Sequence, residues 1–292
     1  MIITRDASAY RTLQNNLAKT STTLNQLYIK SSTGVEVAKA SDNPAAVGSI
    51  INGRSDIVKG ERYIENCKHV QDNLSSSETY MTSVEGIMTR AKEIAVAGAN
   101  DSLSSADRST LNDEVTQLQK SLLDLANTQV NGKYIFAGYN DQTQPFSGTP
   151  VAYNGTNDHQ MIETSAGATT AKNVTGEELF MSPNNLFTTL DNLSTALASG
   201  DSTTISSQLT PLEEAADQVR TQLSLLGNNI AHMDDMISLH ENAQVLVKAT
   251  LSRHQDVDLT VVLSEISKME TSLQATMAVT ARVSSLSLTD YL

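Results

Sequence analysis

The feature that most constrains the fold is a repeat of apolar residues at alternating spacings of three and four, which recurs along most of the chain. This spacing places apolar side chains in a stripe, or seam, along one face of a helix. The longest runs occupy positions 67 to 95 and 209 to 251, and in the second run only His240 and Gln244 are not apolar. The chain is therefore predicted to be mainly α-helical, with long helices buried against one another.

Turn and capping residues divide this repeat into separate helices. A first seam ends at Gly34, a residue that commonly terminates helices. Asn43 followed by Pro44 is typical of a helix start, so a second helix is predicted to run from residue 44 to about residue 100. Ser104 and Asp107 have the spacing of a capping box and predict a third helix.

A β-rich insertion is predicted after the third helix. The stretch "NGKYIFAGYNDQTQPF", residues 131 to 146, alternates like a strand and is followed by turn-rich sequence. We expect Gly132 to end the helix, Tyr134 to lie in the first strand, and Tyr139 and Phe146 to anchor the segment. These aromatic side chains are expected to pack locally rather than bind a ligand.

Helical pattern returns after the insertion, so the layout is nested. The predicted fold is a long antiparallel helical bundle or coiled-coil rod built from both chain halves, with a small β-rich insertion and a terminal helical domain. The predicted domains are a terminal domain of residues 1–42 plus 256–292, a rod of residues 43–131 plus 184–255, and an outer insertion of residues 132–183.

The terminal helices carry weaker seams, in which Thr20, Thr276 and Thr280 occupy core positions, and Asp258 is a plausible cap for the last helix. Such a helix pair is marginal alone, so the termini are predicted to become ordered only against other subunits. The apolar residues of these helices are the candidate subunit interface: Leu13, Leu17, Leu24, Leu27, Leu259, Val262, Ile266, Met269, Leu273, Leu286, Leu288 and Leu292.

Charge and cysteine content exclude several classes of protein. The net charge of −13 disfavours binding to nucleic acid or to an anionic membrane surface. Cys67 is the only cysteine, so no intrachain disulfide and no cysteine-based metal site can form. The first residues lack the pattern of a cleaved secretory signal, and no window is apolar enough to span a membrane.

Motifs for catalysis are weak. The string "HENAQ", His240 to Gln244, falls one residue short of the zinc-protease pattern, and both end residues lie on the seam, where polar breaks help to fix helix register. Acidic pairs such as Glu213 and Glu214 are typical of a solvated helix face. We expect no catalytic site, metal or cofactor, and an enzyme carried on a helical scaffold is the least favoured hypothesis.

Two long segments resemble the bacterial flagellin family. The first, "YRTLQNNLAKTSTTLNQLYIKSSTGVEVAKASDNPAA", contains the family's serine-threonine-glycine turn, Ser31 to Gly34, and its Asp-Asn-Pro-Ala step, Asp42 to Ala45. The second, "LLDLANTQVNGKYIFAGYNDQTQPF", and the ending "SSLSLTDYL" are similar to the branch of the family that joins the flagellar hook to the filament. The resemblance covers residues 1 to 146 and 172 to 292.

The resemblance implies a structural subunit of the flagellum. Copies in a ring would contact a neighbouring hook-associated junction protein on one side and flagellin, or the next junction layer, on the other, providing a platform for flagellin assembly. The family implies export through the flagellar type III channel without a cleaved signal, an extracellular location, and an export chaperone that covers residues 259 to 292. A filament flagellin is the alternative.

Overall fold

The computed structural model describes the backbone of residues 3–289 and the side chains of residue 8 and residues 10–282. The prediction of a mainly helical fold with long helices from both halves is confirmed. The helices of this described part are α1 (Ile3–Thr33), α2 (Pro44–Gly98), α3 (Ser105–Ala126), α4 (Leu186–Ser199), α5 (Ser202–Ser207), α6 (Leu209–Gln255) and α7 (Leu259–Thr289).

The helix ends follow the capping residues identified in the sequence. Gly34 follows the last residue of α1. Its φ of 70° is a left-handed conformation that favours glycine. Asn43 caps α2 by accepting a hydrogen bond from the backbone N–H of Ala46 at 3.2 Å. The capping box of Ser104 and Asp107 is formed at the start of α3. These contacts confirm the predicted helix ends. The ends could be predicted from sequence because capping depends only on local chemistry.

The middle of the chain is held by α2 and α6, which run antiparallel. The Nε2 amide of Gln71 donates a hydrogen bond of 2.8 Å to Asp234, and Lys92, further along α2, pairs with Glu213, which comes earlier on α6. The seam of α2 faces inward over its whole length. Each of its members is at most 3% exposed: Cys67, Val70, Leu74, Ser77, Met81, Val84, Met88, Ala91 and Ala95.

Three antiparallel hairpins and a short π-helical turn, Glu177–Met181, form the insertion. The strands pair in sequence order: β1 (Gln129–Val130) with β2 (Lys133–Tyr134), β3 (Phe146–Ser147) with β4 (Ala152–Tyr153), and β5 (Met161–Ser165) with β6 (Ala168–Ala171). Phe136, Phe146 and Phe180 are fully buried, with ring centroids 5.1 to 5.3 Å apart for the pairs that include Phe180. The phenylalanines thus pack locally, as expected.

Three details of the insertion differ from the sequence-based expectation. Tyr134 lies in β2, the second strand, because the first strand, Gln129–Val130, already precedes the turn and pairs with β2. Helix α3 ends at Ala126, and Gly132 lies instead in the β1–β2 turn, where its φ of 76° follows the φ of 52° at Asn131. An Asn-Gly turn requires this left-handed backbone at both positions, and that requirement, rather than helix termination, explains the glycine. Tyr139 does not anchor the segment because its side chain is 58% exposed.

The chain divides into two compact units. The terminal unit contains residues 1–58 and 244–292, and the central unit contains residues 59–243. Helices α2 and α6 each contribute to both units. The large core cluster of 31 buried apolar residues belongs to the central unit, whereas the described clusters of the terminal unit contain four and three buried residues. The finer division into three domains stays a prediction.

Candidate assembly surface

The terminal helices α1 and α7 pack against each other along the seams identified in the sequence. An antiparallel β-bridge pairs Val35, just after the end of α1, with Asp256, just before the start of α7. The two helices therefore lie side by side and run antiparallel. The cap of α7 is Asp258, as predicted, with its Oδ1 atom 2.9 Å from the backbone N of Thr260. A small apolar cluster lies between the helices. Its buried members are Leu24, Leu27, Val262 and Ile266, with Met269 and Leu273 half-buried against them.

One polar contact links the same pair of helices. The hydroxyl of Tyr28 donates a hydrogen bond of 2.6 Å to Glu270. This bond, together with the negative charge of the carboxylate, raises the pKa of Tyr28. Because the contact is exposed to solvent, it stabilises the helix pair only slightly.

The structure places the candidate interface residues in three different environments. Six of them, the members of the α1–α7 cluster, pack within the chain. Leu13 and Leu17 are half-buried on α1, and Leu259 is 48% exposed at the start of α7. The side chains of Leu286 and Leu288, and all of Leu292, lie outside the described residues. Their assignment to contacts between subunits remains a prediction.

Exposed apolar side chains are concentrated in the terminal unit. Of the seventeen large apolar side chains that are exposed in the described part of the chain, twelve belong to this unit, although it contains little more than a third of the residues. They are Tyr10, Tyr28, Ile29, Ile51, Val58, Val245, Leu246, Leu259, Val261, Leu263, Met277 and Val279. A concentration of this kind is typical of a surface that another protein covers.

Sequence reasoning missed most of this surface because it followed the seam alone. Val261 and Leu263 flank the seam residue Val262 and are 52% and 57% exposed. Ile29, which also lies outside the seam, is 60% exposed. The available signal was the presence of apolar residues at positions that the spacing of three and four does not require.

The formal charge is divided just as unevenly. The terminal unit has ten basic and nine acidic residues, a net charge of +1, whereas the central unit has ten basic and twenty-four acidic residues, a net charge of −14. Like charges on neighbouring copies repel, so close contact costs more for the central unit than for the terminal unit. Charge and apolar exposure therefore identify the same unit as the part suited to contacts between copies.

The residues considered for catalysis do not form a shared site. The Nε2 atom of His240 is 2.8 Å from the backbone oxygen of Thr164, so this imidazole donates to a strand rather than facing Glu241, which is exposed. Among the described side chains, no three of His, Cys, Asp and Glu lie close enough together to hold a metal ion. Over the same residues, no helix combines the length and apolar character needed to cross a bilayer.

Comparison with known families gives matches at both ends of the chain. The model of the bacterial flagellin N-terminal helical region matches residues 6–141, and that of the bacterial flagellin C-terminal helical region matches residues 209–292. Together they cover nearly all of α1 and the whole of α2, α3, α6 and α7.

Individual relatives agree with the family match. The chain is 27% identical over 269 residues to flagellar hook-associated protein 3 of Escherichia coli K12, covering 84% of this chain and 85% of that protein. It is 26% identical to flagellin of Bacillus subtilis over 97% of this chain and 96% of that one. The crystal structure of flagellar hook-associated protein 3 from Legionella pneumophila has the same fold, with a TM-score of 0.65 at 17% identity over 70% of this chain and 98% of that one.

Proposed function

Because this chain belongs to the bacterial flagellin family, we propose that it is a structural subunit of the bacterial flagellum that forms the junction between hook and filament. The match to hook-associated protein 3 over most of both chains supports the junction role. The resemblance of "NGKYIFAGYNDQTQPF" and of the chain ending to the junction branch supports it further. The proposed junction is the platform on which flagellin assembles.

The contacts between copies are assigned to the terminal unit. The observation that carries this assignment is the coincidence of near-neutral charge with exposed apolar side chains on the same unit. Burying apolar surface is favourable by roughly 25 cal/mol per Å², and two terminal units can gain this without a large net electrostatic repulsion. We propose that Val261 and Leu263 act beside the candidate residues Leu259, Leu13 and Leu17 in a ring of copies.

The remaining partners are proposed on the family resemblance. The neighbouring hook-associated junction protein and flagellin, or the next junction layer, would contact the ring from its two sides. The chain is exported by the flagellar type III system and functions outside the cell. An export chaperone would cover residues 259 to 292, among which Val261 and Leu263 are exposed in the free chain.

No catalytic role is proposed for this protein. The flagellin family is structural, and the histidine with the most enzyme-like sequence context, His240, is engaged with a backbone oxygen. Replacing both His240 and Glu241 with Gln is expected to leave filament assembly intact. Loss of motility with unchanged assembly would revive the enzyme hypothesis.

Deletion of the gene from its host tests the junction role directly. We expect hooks without filaments and flagellin released into the medium, since flagellin would have no surface on which to polymerise. Electron microscopy of the hooks and an immunoblot of the medium measure the two effects, and re-expression of the wild-type chain should reverse both. A deletion strain that still makes full-length filaments would contradict the proposal and would favour a minor filament flagellin.

A further inference from the structure

The β5–β6 hairpin lies across α2 and α6, and a side chain from each helix holds its backbone. The Nε2 atom of His240, on α6, donates a hydrogen bond of 2.8 Å to the backbone oxygen of Thr164. The Nδ2 amide of Asn66, on α2, donates one of 2.7 Å to the backbone oxygen of Glu163. Two consecutive carbonyl groups of β5 are thus bound by two different helices.

A bulge makes this double attachment possible. The pairing of β5 with β6 shifts between Glu163 and Ser165, so Thr164 has no regular partner in the ladder. A bulged residue is free to direct its carbonyl away from the neighbouring strand. Thr164 is nevertheless only 2% exposed, and its hydroxyl lies 3.1 Å from that of Thr170 on β6. The hairpin is therefore held to the helices at one buried point.

Tyr63 completes the attachment. Its hydroxyl lies 3.3 Å from the carboxylate oxygen Oε1 of Glu163, and its ring centroid is 5.3 Å from that of His240. Tyr63 and His240 thus connect α2, α6 and β5 in one chain of contacts. One apolar side chain of β5, Ile162, also packs against the large core, whereas α2 and α6 contribute many buried residues to that core. The hairpin is therefore held by a few hydrogen bonds and little apolar contact.

Cys67 lies directly beneath this attachment. It is fully buried, and its Sγ atom is 3.8 Å from the backbone oxygen of Thr164. Burial raises the pKa of this thiol, so the thiolate that reacts with electrophiles is further suppressed. A reagent in solution can reach Cys67 only when the residues that cover it, which include Thr164 of β5, move away.

We propose that the β5–β6 hairpin is a clasp that closes over α2 and α6, opens as a local unit without unfolding the helices, and shields Cys67 while closed. Two-stranded hairpins are marginal on their own, so the hairpin's order depends on its attachments, which are the bonds from Asn66 and His240 and the packing of Ile162. The clasp also explains why a polar residue, His240, occupies a seam position. At this position α6 donates a hydrogen bond to β5 as well as packing against α2. Local opening of this kind is expected where few apolar contacts hold an element.

The native thiol supplies the measurement, because Cys67 is the only cysteine of the chain. The full-length protein is reacted with a thiol-specific reagent at increasing concentrations of denaturant below the unfolding transition. A local opening exposes little surface, so the labelling rate should change little with denaturant at first. If labelling instead follows the denaturant dependence of global unfolding at every concentration, the hairpin does not open separately and the proposal is overturned.

Variants test whether the two bonds hold the clasp. His240→Ala and Asn66→Ala should each accelerate labelling by about fivefold, the change expected when one net hydrogen bond is lost. His240→Gln, which keeps a donor, should restore part of the protection. The matched control is Gln71→Ala, which removes an exposed bond between α2 and α6 that does not involve the hairpin and should leave the rate unchanged. Equal labelling rates in wild type and both alanine variants would overturn the proposal.

Discussion

The hydroxyl of Tyr28 on α1 donates a hydrogen bond of 2.6 Å to Glu270 on α7, joining residues 242 positions apart in the chain. The bond raises the pKa of Tyr28 above its ordinary value of 10.0. Ionisation of the hydroxyl removes the donor and places two negative charges together. The contact therefore stabilises the terminal helices below pH 10, and this contribution disappears as the pH rises through the raised pKa.

A Tyr28→Phe variant should show this pH dependence. Its free energy of unfolding is expected to be slightly lower than that of wild type at neutral pH, and this deficit should disappear as the pH rises through the raised pKa of Tyr28. Ultraviolet titration of tyrosinate should also lose the group that ionises at raised pH. Tyr10→Phe on the same helix is the control, and an equal effect of both variants would show that the Tyr28 contact has no special role.

Hydrogen exchange should separate the two units in the isolated chain. Helix α2 packs into a core of 31 buried apolar residues, whereas four buried residues hold α1 to α7. Fewer apolar contacts allow local opening at lower free energy, so the amides of residues 5 to 30 should exchange much faster than those of residues 67 to 95. Mass spectrometry of exchanged peptides measures the difference. Protection of α1 equal to that of α2 would contradict the prediction that the termini become ordered against other subunits.

Neighbouring residues on α7 should separate assembly from stability. Leu263 is 57% exposed, so Leu263→Ser is expected to weaken association between copies while leaving helix content and unfolding unchanged. Ile266, three residues later, is 8% exposed, and Ile266→Ala should destabilise the terminal helices by about 2 kcal/mol. Circular dichroism and incorporation into flagella measure the two effects. If Leu263→Ser chains were incorporated normally, the exposed face of α7 would not be an interface.

Association of purified copies should strengthen with ionic strength. Each central unit carries a net charge of −14, and salt at about 0.1 M limits the range of this repulsion to roughly 10 Å. Sedimentation equilibrium at low and moderate sodium chloride concentrations measures the change. Adding sucrose instead of salt is the control for excluded-solute effects. Association that weakened on addition of salt would show that attraction between opposite charges dominates instead.

Shortening a buried side chain of the α2 seam should lower the free energy of unfolding of the protein. Met88 is fully buried on α2, so Met88→Ala is expected to lower the free energy of unfolding by about 2 to 5 kcal/mol. Val96 on the same helix is 57% exposed, and Val96→Ala should change it by less than about 0.5 kcal/mol. Denaturant titrations followed by circular dichroism compare the two variants. Equal losses would mean that the α2 seam is not the main stabilising contact.

Local patterns in the sequence predicted the helices well, because a spacing of three and four leaves one face of α2 to be buried. Every residue of the run from Cys67 to Ala95 that this spacing selects is indeed buried. The partner of His240 could not be predicted in this way, since it depends on where a hairpin 76 residues away meets the helix. The exposure of Val261 and Leu263 was missed for a related reason: hydrophobicity alone does not say which neighbour covers a side chain.

The uneven charge described above has a consequence for the free chain before it is assembled. In colloid terms each copy combines the two properties of a surfactant: a net charge of −14 on the central unit, and exposed apolar side chains on a terminal unit that is nearly neutral. The negative charge of the central unit thus keeps the apolar side chains of free copies apart at low ionic strength. Free copies would then associate only where a preformed surface brings their terminal units together. Assembly would therefore occur on that surface rather than in the surrounding medium.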